Sequence, residues 1–304
     1  MSLLAIFGCG KRGGGDKVVA ASFYPMYIAA LNVAENAPGV RVAVVAAAIY
    51  GCAHEYQLTP ADAAVMETAS ALVINGGGID GFLDKAAASN KNLAIVNASA
   101  GVDFHLSRAR GGNDDDGHVD DHDHKHSHDR RDTGAAENAH VWMSIDNHII
   151  QIENIAKGLA AWDRANAEVY GENARRYIAD LTELRDAARR ELAGAAGQKI
   201  ALSHDGFIYL AREFGLTVSV IIEKEHGVDP GAADVIEAIE TIRRERPKAL
   251  FVENSRRQPA IKTISEETGL PVFELDMAAS GLYKKDAYIR AMEKNIAALK
   301  KALE

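Results

Sequence analysis

The 304 residues are enough for two domains, each able to bury its own core. With 47% hydrophobic and 25% charged residues the composition is that of an ordinary globular protein, and no apolar run approaches the ~18 residues of a membrane span. The net charge of −9 and the lack of any dense basic stripe exclude a phosphate-neutralising, nucleic-acid-binding surface and favour cations instead.

Residues 1–16 read as a leader. An apolar stretch, Leu3 to Cys9, precedes the flexible KRGGGDK, and Ile6-Phe7-Gly8-Cys9 is similar to a bacterial lipoprotein processing site with Cys9 as the residue to be lipidated. The run is short for a complete export signal and has no basic residue ahead of it. Cys9 and Cys52 are the only cysteines, so there is no disulfide framework. Cys52, two residues before His54, reads either as a small buried residue or as a metal ligand.

From Lys17 short β-branched runs alternate with amphipathic stretches. KVVAASF, VRVAVVA, ALVIN and NLAIVNAS read as strands. Between them, YPMYIAALNVA opens a helix with Pro25 near its first turn, TPADAAVMETA starts one with Thr59 as N-cap and Pro60 at N1, and GFLDKAAA follows as a third. After one long helical pattern over 164–193, a second alternating set begins. Its strands are KIALSH, TVSVIIE, ALFVE and PVFELD, and its helices LAREFG, ADVIEAIETIRRER, AIKTISEETG and DAYIRAMEKNIAALKKALE. This order predicts an α/β protein of two lobes, each a mostly parallel sheet flanked by helices, joined by one long helix. The expected boundaries are an N-terminal lobe over 17–163, the connecting helix over 164–193 and a C-terminal lobe over 194–304.

One segment interrupts the first lobe. Residues 113–132 read NDDDGHVDDHDHKHSHDRRD, with His118, His122, His124, His126 and His128 set among eight aspartates, so most of the net charge sits in this stretch. It has too few apolar side chains to offset its ordering entropy and reads as a disordered loop. Imidazole is the commonest ligand for zinc and similar ions and carboxylates are acceptable partners, so the composition points to metal recruitment rather than to a solvated linker.

Outside that loop four side chains stand where strands end. His54 follows the second strand, His140 follows the acidic loop in NAHVWMS, His204 ends KIALSH, and Asp276 ends PVFELD. Ligands of open α/β sheets bind beyond the carboxyl ends of the strands, and three imidazoles with one carboxylate suit tetrahedral zinc. Singly, each is as readily a turn or cap residue, and Asp276 could simply cap the MAASG turn. His105, His148 and His226 read as exposed or packing residues, and Glu223 and Glu225 as the solvated end of a strand.

The segments HEYQLTPADAAVMETASALVINGGGIDGFLDK, HVWMSIDN, SHDGFIYLAREFGL and FVENSRRQPAIKTISEETGLPVFELD together resemble the cluster A-I metal receptors of bacterial ABC importers, over essentially Lys17 to Leu303. The resemblance implies that His54, His140, His204 and Asp276 are the metal ligands, that an ABC permease is the partner, and that the protein is a periplasmic or cell-surface monomer and not an enzyme. A histidine at the third ligand position and an acidic His-rich loop look like the zinc branch, whereas the manganese branch usually places a glutamate there. Zn²⁺ is therefore the expected metal, with Mn²⁺ or iron the alternative. Two departures stand out. Cys52-Ala53 replaces the residues usual before the first histidine. Asn138-Ala139 replaces Asp-Pro before the second and removes a carboxylate that would orient His140, leaving Glu55, Asp205 or Glu253 as orienting candidates.

Rival readings are weaker. NGGGIDG matches G-x-G-x-x-G through Gly76, Gly78 and Gly81, but the next strand ends at Asn97, not at the carboxylate a dinucleotide site needs. A zinc hydrolase could use Glu55 or Glu253 as base, yet the chain has no H-E-x-x-H, G-x-S-x-G or P-loop. A zinc buffer built on the loop alone would not need the two-lobed body.

Overall fold

A computed structural model describes residues 17–47, 56–106, 137–223, 229–254 and 259–304. The leader with Cys9, the segment holding Cys52, His54 and Glu55, the acidic loop with its five histidines, and Glu225 and His226 lie outside the described residues.

The first half is built on β1 (Lys17–Phe23), α1 (Tyr24–Val33), β2 (Val40–Ala46), α2 (Pro60–Thr68), β3 (Ala71–Ile74), α3 (Asp84–Ser89) and β4 (Ala94–Asn97). The four strands pair in parallel in the order β2-β1-β3-β4. KVVAASF takes the inner β1 position because Val18 to Phe23 are all buried, the uniform pattern of a parallel strand covered on both faces. Thr59 caps α2 in a reciprocal box, Asp62 N–H donating to Thr59 Oγ1 (3.3 Å) and Thr59 N–H to Asp62 Oδ2 (2.7 Å).

Two short strands that the sequence did not announce close the base of the acidic loop. β5 (His105–Leu106) pairs antiparallel with β6 (Glu137–Asn138), which brings together the described residues on either side of that segment. Next comes α4 (Ile145–Trp162), 18 residues capped by the Ser144 hydroxyl, in a stretch to which the sequence reading gave no element. The connecting helix α5 (Ala167–Glu191) has 25 residues and spans roughly 37 Å; short 3₁₀ turns at Arg164–Asn166 and Ala193–Ala195 flank it where one continuous helix over 164–193 was expected.

The second half follows with β7 (Lys199–Leu202), α6 (Ile208–Glu213), β8 (Thr217–Ile221), α7 (Ala232–Glu245), β9 (Leu250–Glu253), α8 (Pro259–Thr268), β10 (Val272–Leu275) and α9 (Ala287–Leu303). Its strands are again parallel, in the order β10-β9-β7-β8. The main apolar cluster does not stop at the boundary between halves. It runs from Val19 and Phe23 through Trp142, Tyr170 and Leu181 to Leu202, Phe251 and Leu299. Swinging the halves apart would expose this shared surface to water, at a cost of about 25 cal/mol for each Å² uncovered.

Candidate metal centre

His140 and His204 come together. β6 ends at Asn138, and two residues later His140 stands at the head of a tight turn, Val141–Met143, whose three side chains are all buried. His204 lies two residues beyond β7 in extended backbone, where its Nδ1 accepts the Gly206 N–H (2.9 Å) and so caps the turn Asp205–Phe207. The ring centroids are 5.0 Å apart and the planes nearly perpendicular at 84°. Both residues are about 95% buried, with relative exposures of 5% and 4%. Gly206 makes the approach possible, because a Cβ there would stand 3.0 Å from both His140 Cγ and His204 Nδ1 and 2.9 Å from Met277 Cε.

Each imidazole has a partner that decides which nitrogen carries the proton. Asn138 Oδ1 accepts the His140 backbone N–H (3.1 Å) and lies 2.9 Å from His140 Nδ1. An amide oxygen only accepts, so the proton sits on Nδ1 and the Nε2 lone pair is kept for an electrophile. The asparagine thus fills the orienting role for which Glu55, Asp205 and Glu253 were the candidates. At His204 the Gly206 N–H donates to Nδ1, so in this arrangement the ring proton is on Nε2; Asp205 Oδ1 stands 3.5 Å from Nδ1. The segment before His140 is anchored in turn by Asn75, whose Nδ2 donates to Ala139 O (3.0 Å) while its Oδ1 accepts from Gln151 (2.9 Å).

Asp276 follows β10 and is half-buried. Its Oδ1 accepts the Ala278 N–H (2.8 Å), the turn-capping role, and its own N–H donates to Asn295 Oδ1 (2.7 Å). The adjoining Met277 ties this turn to the histidines: its carbonyl accepts the Trp142 indole N–H (2.9 Å), and its methyl is among the atoms crowding Gly206. Burial, followed by the Asp276 charge, pushes the Tyr24 phenol up to about 12, so Tyr24 stays neutral; it donates to Leu282 O (2.7 Å). Tyr283 reaches back to Ala47 O (2.9 Å), the last described residue before the segment with His54. Among the described residues no three His, Cys, Asp or Glu side chains gather closely enough to hold an ion. Asp276 thus does not complete a three-residue cluster with His140 and His204 among the described residues.

Other candidates resolve as packing. His148 is fully buried, stacked on Tyr288 with centroids 3.9 Å apart and bonded through Nδ1 to Gln151 Oε1 (3.0 Å); burial lowers it to about 4 and keeps it neutral. His105 packs on Tyr209. Glu223, expected at a solvated strand end, is instead buried at 7% exposure, and its backbone continues the ladder by donating to Ser203 O (2.9 Å). In NGGGIDG, Gly76, Gly77 and Gly78 all have positive φ, and a Cβ on Gly76 would meet Asn97 Oδ1 at 2.5 Å. The Asp80 carboxylate already accepts the Asn75 and Gly76 N–H groups at 3.2 and 2.7 Å, so these amides have nothing to offer a phosphate.

Two parallel-sheet halves joined by a long helix, with paired imidazoles beyond the strand ends, define a metal-binding solute receptor. The chain belongs to the family of the zinc-uptake complex component A, periplasmic (ZnuA), whose model matches residues 19–302. It is 28% identical over 260 residues to the iron ABC transporter substrate-binding lipoprotein MtsA of Streptococcus pyogenes, covering 80% of this chain and 76% of that protein. It is 27% identical over 315 residues to the zinc-binding lipoprotein AdcA of Streptococcus pneumoniae, covering 100% of this chain and 60% of AdcA. Its fold superposes on FpvC of Pseudomonas aeruginosa in complex with Mn²⁺ with a TM-score of 0.80, at 26% identity over 94% of this chain and 98% of FpvC. On a crystal structure of ZnuA the TM-score is 0.75, at 22% identity over 95% and 100% of the two chains. This is a family of metal-ion receptors that serve ABC importers outside the cytoplasm, together with a membrane permease; its members are not enzymes, and the hydrolase reading falls.

Proposed function

We propose that the chain captures Zn²⁺ with His54, His140, His204 and Asp276 and hands it, as a monomer, to the permease of a zinc importer. The buried, edge-to-face pair of His140 and His204 carries this reading, since two imidazoles at one point favour a borderline-soft ion over the harder Mn²⁺. AdcA, named as zinc-binding, matches the whole length of the chain. MtsA, named for iron, and FpvC with Mn²⁺ support the alternative of a manganese or iron receptor.

The halves divide at 17–163, 164–193 and 194–304 in this reading. Shared burial across them makes release a local rearrangement around the ligands rather than a wide swing. Residues 113–132, with His118, His122, His124, His126 and His128, act as a collecting loop whose weak sites raise the local zinc concentration. Cys9 anchors the receptor to the membrane surface through its lipid.

Competitive titration of the purified, metal-stripped protein with zinc and manganese tests the assignment. One tightly bound zinc that excess manganese fails to displace supports it. Preference for manganese moves the protein to the sister branch.

A further inference from the structure

Asn138 belongs to two neighbourhoods at once. Toward its own turn, Oδ1 accepts both the backbone N–H of His140 (3.1 Å) and the proton on His140 Nδ1 (2.9 Å). Toward the second half, Nδ2 donates to Asp205 O (3.0 Å), the carbonyl next to His204, and its own carbonyl accepts the Tyr209 hydroxyl (2.5 Å). That hydroxyl also accepts the His105 N–H (2.9 Å) and so clasps both strands of the ribbon beneath the acidic loop. Asn138 is buried, at 1% exposure. Its orientation is fixed from both sides. Flipping the amide would set NH₂ against the His140 N–H and oxygen against the Asp205 carbonyl.

We propose that Asn138 is the positioning residue of the metal site, holding His140 in its metal-competent tautomer while docking the His140 turn onto the His204 turn. This rests on the zinc reading above. A carboxylate could do only the first job, for it has no donor to offer Asp205 O; an alanine could do neither. Metal affinity and metal-free stability should therefore rank the variants differently, which a purely structural role would not produce.

The test is zinc competition and thermal melting of the metal-free protein for wild type, Asn138→Asp and Asn138→Ala, with His140→Ala alongside. Asn138→Ala should bind zinc about 10- to 100-fold more weakly, the range for losing a partner of a ligating histidine. Asn138→Asp should keep zinc affinity within about threefold of wild type, since a carboxylate is a sufficient acceptor for the ligating imidazole. The same variant should melt lowest of the three without metal, because it faces the Asp205 carbonyl with a buried charge. Should Asn138→Ala fail to fold, Asn138→Leu, of similar volume, removes the same acceptor. Zinc affinity within threefold of wild type in Asn138→Ala, or an equal loss in Asn138→Asp and Asn138→Ala, overturns the proposal. Tight zinc binding by His140→Ala would instead overturn the zinc site itself, whatever the asparagine variants do.

Discussion

His140 and His204 meet edge to face with ring centroids 5.0 Å apart, although 63 residues separate them and each belongs to a different half of the molecule. Neither imidazole lies on a regular element of a main sheet. One is delivered by the two-residue ribbon strand β6, the other by the turn after β7. The pairing depends on loops held by Asn75, Asn138 and Gly206, and metal binding should be sensitive to those residues as well as to the ligands.

Removing either ring should be the most damaging change. His140→Ala and His204→Ala are each expected to weaken zinc by more than the ~10- to 100-fold associated with outer partners. Competition against a chromophoric chelator measures this, and melting of the metal-free variants verifies that they fold.

Gly206→Ala separates crowding from ligand loss. The added methyl would lie about 3 Å from Met277 Cε, His140 Cγ and His204 Nδ1 with the backbone otherwise unstrained. Overpacking of this kind costs roughly 1–3 kcal/mol, and the strain falls on the pair itself. Zinc affinity should drop about tenfold, since every 1.4 kcal/mol is tenfold in binding; unchanged affinity would show that the ring spacing is not needed.

Deleting residues 113–132 should leave the tight site intact and abolish weaker zinc binding, lowering stoichiometry at saturating zinc without changing the affinity of the first equivalent. Isothermal titration gives both numbers. Loss of the tight equivalent would place it in the loop and turn the receptor into a buffer.

Stability should depend on pH through Glu213. Its carboxylate accepts the Ile145 N–H (2.6 Å) at the start of α4, joining the two halves, yet burial raises it to about 7. The folded protein thus holds a proton that the unfolded chain releases near 4.5. That contribution is complete below pH 4.5 and is lost as the pH climbs through 7. His148, lowered to about 4 by burial, works in the opposite sense and costs stability as the pH falls from 6.5 toward 4. Glu213→Gln, which keeps an acceptor for Ile145, should gain roughly 1–3 kcal/mol at pH 8 and nothing at pH 4.5, as read by melting at the two pH values.

Much of this architecture is legible in the residues. β-branched runs bounded by capping signals place the eight main strands, because uniform burial makes parallel strands continuous in hydrophobicity. α4 carries no Pro or Gly signal at its start, only the Ser144 cap, so no element was expected over 145–162, where this helix packs beside α5. The ribbon β5–β6 is two residues long on each side, too short for any periodicity. His140 and His204 are recognisable from their motif segments, yet the role of Asn138 is not. Read as a missing carboxylate it looks like a loss, and only the fold shows that its second polar atom reaches Asp205.

Zinc-edge X-ray absorption on the one-to-one zinc complex of the 113–132 deletion tests the central claim most directly. The account predicts three imidazole nitrogens at ~2.0–2.1 Å with an oxygen completing the shell, and one fewer imidazole in His140→Ala. A shell made mainly of oxygen, or one unchanged by His140→Ala, would contradict it.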